Sequence, residues 1–226
     1  MSLPFDIDQF LAVFSAYNAA IWPAQIVAYA LGFAAVGALL TGHPARDRTI
    51  LAVLSLLWAW NGLAYQLAFF STINPAGKVF AALFIVQAAL FAAHAVMASD
   101  LRFEIRPHWR SIAGLALIVF AVLVYEVLGV IAGHGLMQGP LFGVAPCPTT
   151  IFTIALLLLA RGRSVVWLSL IPIVWALIGG SASVLLKIPE DFALAIAGVV
   201  LVIGLASEWS RHHVHEPALP PGRERR

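Results

Sequence analysis

Six stretches of this sequence are long enough and apolar enough to cross a lipid bilayer: residues 19–41, 49–70, 77–98, 111–133, 164–186 and 191–209. A helix rises about 1.5 Å per residue, so crossing roughly 30 Å of hydrocarbon takes about 20 residues. The segments between them hold the breakers and the charges, including Pro44, Pro75, Pro107 and Pro189. Only 11% of the chain is charged and 62% is hydrophobic. A soluble globule carries about 25% charge, enough to coat its surface, and this chain cannot do so. Disorder, nucleic-acid binding and an ordinary soluble domain are excluded on the same grounds, and the lipid bilayer is the expected partner.

A seventh apolar run, 149–160, is too short. Twelve residues cover about 18 Å. It is preceded by Gly139-Pro140-Leu141-Phe142-Gly143-Val144-Ala145-Pro146-Cys147-Pro148, which has three prolines and no charge. Such a stretch cannot be a regular helix, yet it is apolar enough to enter the membrane. The expected geometry is a loop that dips into the bundle and a half-helix that begins partway down. Irregular backbone at that depth must be buried in protein or line a cavity, and interrupted short spans point to binding sites. The competing geometry keeps the loop on the surface and thins the bilayer around a short helix.

Counting this half-helix as a span makes the charge pattern consistent. Arg46, Arg48, Arg102, Arg106, Arg110, Arg161 and Arg163, with Arg211, Arg223, Arg225 and Arg226 in the tail, then fall on one side, leaving Lys78 and Lys187 on the other. By the positive-inside rule the expectation is an all-α, polytopic membrane helix bundle of seven transmembrane helices. Its N-terminus is outside and its C-terminus cytosolic, in the cell (inner) membrane. Trp22, Trp109, Trp167 and Trp209 fit interfacial positions. No basic residue precedes Arg46, so no positive region of a secretory signal is visible. Asp6 and Gln9 read as a capping box, and Phe10, Val13, Phe14 and Tyr17 share one helical face. The expected organisation is an outer-face amphipathic helix over 1–18, the transmembrane domain over 19–209 and a solvated cytosolic tail over 210–226. The helix serves either as a packing lid or as a gate over a site.

The half-helix start carries the chemistry. Cys147 is expected at the N-cap, Pro148 at the first helical position, and Thr149 and Thr150 just inside. The free amides and the helix dipole there favour a thiolate, an anion or a carbonyl oxygen. Counting along the spans from the basic side puts Asn61, Tyr65, Glu126 and Ser181 in the same outer third. Glu126 is the acid read as lying well inside a span, where a carboxylate is a functional feature by default; its alternative is a neutral acid bonded to Tyr65 or to a carbonyl. His94 reads as an interface residue. His134, Met137 and Cys147 bracket the dipping loop and would suit a soft metal ion, with an inert buried thiol as the bland alternative for Cys147. His212, His213 and His215 form a second, equally weak metal signal. No embedded lysine lies in the last span, no His pair crosses a span, and no phosphate-loop or dinucleotide motif occurs, so retinal, haem and nucleotide are not expected.

Several segments resemble a bacterial family of multi-pass membrane proteins known only as a domain of unknown function. They are Phe10-Leu11-Ala12-Val13-Phe14, Trp58-Ala59-Trp60-Asn61-Gly62, Ile73-Asn74-Pro75, Cys147-Pro148-Thr149-Thr150 and Trp175-Ala176-Leu177-Ile178-Gly179-Gly180. The resemblance covers about residues 3–206 and implies an inner-membrane protein without bringing any activity. The residues themselves lead to transport or binding of a small solute or ion, possible soft metals included, through the outer-third site at Cys147. The alternatives are an intramembrane thiol-dependent enzyme or redox protein, and a non-catalytic sensor or assembly subunit.

Overall fold

The computed structural model describes residues 4–97, 99–186 and 188–214, and of 209–214 the backbone alone. The fold is nearly all helical. Helix α1 (Ile7–Ala20) leads into α2 (Ala24–Thr41) and α3 (Arg46–Trp60), which continues as a π-helical segment, Asn61–Phe69. After α4 (Gly77–Val96) come α5 (Trp109–Val119), a π-helical turn and α6 (Tyr125–Ile131), then α7 (Pro146–Leu159), α8 (Ser164–Leu186) and α9 (Phe192–Val214). Six helical stretches are long and apolar enough to cross a membrane: Ala24–Thr41, Arg46–Thr72, Gly77–Val96, Trp109–Ile131, Ser164–Leu186 and Pro189–Glu208. They coincide with the six long runs of the sequence to within a few residues.

The short run forms the centre of the bundle. All 14 residues of α7 are buried, packed among α3, α5, α8 and α9. A helix that is apolar all round belongs in a core, and this one has no polar face to offer water. The burial extends upstream: every residue from Gly139 to Ala160 is buried. The proline-rich lead-in therefore runs inside the protein rather than over its surface. The helix begins two residues earlier than its sequence suggests. Ala145 is the N-cap and Pro146 the first helical residue, so Cys147 lies inside the helix. Two prolines within the first three positions remove two of the amides that a helix start would otherwise present to an anion.

The basic loops meet at one end of the bundle. Two-residue strands β1 (Arg102–Phe103) and β2 (Ala160–Arg161) pair antiparallel and tie the 99–108 loop to the end of α7. Asp47 lies 3.3 Å from Arg46 and 3.7 Å from Arg102, and Glu104 bonds Arg106 at 2.5 Å. Arg110 differs from the rest. It is buried, paired with Glu208, and its guanidinium donates to the Leu157 and Ala160 carbonyls at the C-terminus of α7. A cation there satisfies orphan carbonyls and complements the helix dipole. Trp22, Trp109 and Trp167 are exposed on the bundle surface; the side chain of Trp209 and residues 215–226 lie outside the described residues.

Candidate functional site

The dipping loop is held by side chains from three elements. Tyr17 of α1 donates its hydroxyl to the Val144 carbonyl at 2.8 Å and accepts from the Trp60 indole at 2.8 Å. Burial keeps that phenol protonated well beyond its ordinary range. Asn18 donates to the carbonyls of Met137 and Gly139, each at 2.9 Å. Asn61, at the start of the π segment, donates to the carbonyls of Leu57 (2.8 Å) and Gly143 (2.9 Å) and reaches Thr149 Oγ1 at 3.3 Å. Glu126 accepts from the Phe142 amide at 2.7 Å and from the Tyr29 hydroxyl. Gly143 turns the chain with φ +76, and a Cβ there would sit 2.7 Å from the Ala28 Cβ. The loop's buried polar groups are thus met by protein, as irregular backbone inside a bundle requires.

Beside the start of α7 lies a cavity of about 150 Å³. Its polar lining includes Tyr65 and Gln66 on the π segment, Cys147 on α7, Trp175 on α8 and Asp191 at the start of α9. The extra residue per turn of a π segment re-aims side chains, and such segments recur at functional sites. The apolar lining is largely aromatic. Phe14 stacks on Tyr65 with centroids 4.7 Å apart, Tyr65 on Phe70 at 5.7 Å, and Phe80 meets Trp175 edge-on at 5.3 Å. Helix α1 therefore contributes both the clamp on the loop and part of the cavity wall. Its capping box, Asp6 with Gln9, is present.

The cavity chemistry is uneven. Cys147 bonds the Asp191 carboxylate, and the buried Trp175 indole N–H has no hydrogen-bond partner among the described residues. Asp191 also accepts from the Tyr125 hydroxyl and directly precedes α9, where the helix N-terminus favours negative charge. Its neighbour Glu190 is fully buried and pairs with His134 at 2.8 Å. Gly179 keeps the α8 wall open: a Cβ there would lie 3.6 Å from both the Cys147 sulfur and the Trp175 nitrogen. Gln66 is fully buried with neither amide atom hydrogen-bonded, and the buried Tyr65 hydroxyl likewise has no hydrogen-bond partner.

Of the residues singled out from sequence, Tyr65, Cys147 and Ser181 line the cavity. Ser181 is at its exposed rim, with its hydroxyl turned to the Ile178 carbonyl. Asn61 and Thr149 sit behind the wall and hold the loop. The hydroxyls of Thr149 and Thr150 donate back to the carbonyls of Ala145 (2.7 Å) and Pro146 (2.8 Å). Glu126 fastens the loop on another face and does not line the cavity. The proposed metal ligands are placed apart. His134 is engaged with Glu190, the Met137 side chain is exposed, and Cys147 is bonded within the cavity. Among the described residues no three His, Cys, Asp or Glu side chains gather as a metal-binding group. His94 bonds the Leu90 carbonyl of its own helix. His215 and the side chains of His212 and His213 lie outside the described residues.

Sequence reasoning missed Gln66, Trp175, Glu190 and Asp191. The signal for the two acids was present: Pro189-Glu190-Asp191 directly before an apolar run is a helix-start pattern. Reading 187–191 only as a charged break between spans hid it. Comparison with curated proteins and with solved structures returns no match in either case. Residues 7–216 match a family of unknown function (DUF6064), and the chain belongs to that family.

Proposed function

We propose that this is an integral membrane protein that binds, and in doing so transports or senses, a small solute through the cavity at the start of α7. The observation that carries this reading is Gln66: a fully buried amide without a partner, aimed from a π segment into a cavity. An unmet buried amide costs about 1–3 kcal/mol, and a ligand that met it would recover that loss. The unpaired Tyr65 hydroxyl supports the same conclusion. In this reading α7 is the seventh span, completed by the dipping loop. The N-terminus and the cavity face the outside, the basic end faces the cytosol, and the protein resides in the bacterial inner membrane. A thiol enzyme is supported less well, because the group bonded to Cys147 is a carboxylate rather than an imidazole. The soft-metal version of the site is likewise supported less well, because His134 is already paired.

The chain has one cysteine, which makes the test direct. In intact cells a small, membrane-impermeant methanethiosulfonate should modify Cys147 from outside, and Ser181→Trp at the rim should slow that modification strongly. A thiol that stays silent to small reagents until the protein is unfolded would overturn the reading.

A further inference from the structure

The cavity has a charge asymmetry that selects a ligand class, and this step rests on the solute-binding reading above. Two acids are fully buried among the described residues, Glu190 and Asp191. Glu190 is matched by His134. Asp191 is bonded only by neutral donors, the Tyr125 hydroxyl and the Cys147 thiol. It is the acid that lines the cavity, and among the described residues no basic side chain lines it. Aromatic rings, Phe14, Tyr65, Phe70, Phe80 and Trp175, form much of the remaining wall, beside aliphatic side chains from the end of α8. Aromatic rings attract cations through their quadrupole, most strongly when water is excluded, and repel anions. Gln66 adds an unpaired carbonyl oxygen, a further acceptor.

We infer that the cavity binds a compact organic cation of the alkylammonium class, with Asp191 as its counter-charge and the aromatic wall around its alkyl groups. Size sets the upper bound. A cavity of about 150 Å³ matches the apolar cavity known to hold benzene, so the ligand has only a handful of heavy atoms. A free inorganic cation would gain little from the aromatic wall and would find few oxygens.

The test compares three probes of similar bulk on the full-length protein in an uncharged detergent: tetramethylammonium, tert-butanol and pivalate, each titrated calorimetrically at constant ionic strength. Tetramethylammonium is expected to bind about tenfold or more tighter than either of the others. Asp191→Asn should remove most of that preference while leaving the weak affinity for tert-butanol in place. Phe14→Leu, which keeps both buried acids, should reduce cation affinity severalfold even where Asp191→Asn fails to fold. Equal or tighter binding of tert-butanol or pivalate overturns the cation inference and leaves a solute site of another class. Failure of all three probes to bind overturns the inference and the solute-binding reading together.

Discussion

Replacing Gly143 with alanine probes the point where the loop turns inside the bundle. The residue has φ +76, and the new Cβ would sit 2.7 Å from the Cβ of Ala28 on α2 and 3.4 Å from a Leu57 methyl. The left-handed backbone costs an alanine about 1–2 kcal/mol. Forcing a methyl into a packed helix contact costs about 1–3 kcal/mol more. Ala28 and Leu57 are both buried and have little room to retreat, so the two costs together come to roughly 2–5 kcal/mol. For a chain of this length that corresponds to a drop of about 4–20 °C in melting temperature. The assay is thermal unfolding of purified protein in detergent, followed by tryptophan fluorescence. Gly37→Ala is the matched control, since a Cβ there meets nothing within 4 Å and alanine is the better helix former; it should melt at or above the wild-type temperature. If Gly143→Ala melts with the wild type, the loop does not make this turn against α2.

Tyr17→Phe leaves the Val144 carbonyl and the Trp60 indole without partners, a loss of about 1–3 kcal/mol, and should lower the melting temperature without changing expression. Arg110→Ala removes the donor to the buried Leu157 and Ala160 carbonyls at the end of α7; leaving buried acceptors unmet costs about 1–3 kcal/mol, so folded protein recovered by size-exclusion chromatography should fall. Glu208→Gln should be milder, because its partner Arg110 keeps the α7 carbonyls. The Asp100 carboxyl, in the loop beside α8, is held below its ordinary range by hydrogen bonds from Ser164. Its folded value is depressed, so its contribution to stability is present above the ordinary aspartate range and disappears as pH falls through the folded value. Asp100→Asn should therefore lower stability slightly at neutral pH and match the wild type in strong acid, as read from melting temperatures across pH.

The six long helices were legible because hydrophobic length is a local property of sequence. The same arithmetic exposed α7: too short to span, too apolar to lie outside, and preceded by residues that cannot be helical. What length could not supply was rotation about each helix axis. Asn61, Tyr65, Glu126 and Ser181 were grouped by height, and height leaves direction open. Tyr65 faces the cavity, Asn61 holds the loop behind it, and Glu126 points to a different face. The π segment is part of the reason, since a 3.6-residue ruler misplaces every side chain after Asn61. Asp191 was hidden for another reason. An acid next to a proline at a span boundary looks solvated in sequence, and only tertiary packing of the turn against α6 and α8 buries it. Arg110 illustrates the same blindness at the opposite end: it counts as one more basic loop residue until the carbonyls of α7 appear beneath it.

The central claim is that residues 139–145, though not helical, run through the interior and deliver Cys147 to the cavity. Hydrogen–deuterium exchange of the full-length protein tests it most directly. The account predicts that the amides of Leu141 to Ala145 exchange as slowly as those of α7 and far more slowly than the exposed turn at 136–138. Exchange of 141–145 at the rate of that turn would place the loop in solvent, and the site at Cys147 would go with it.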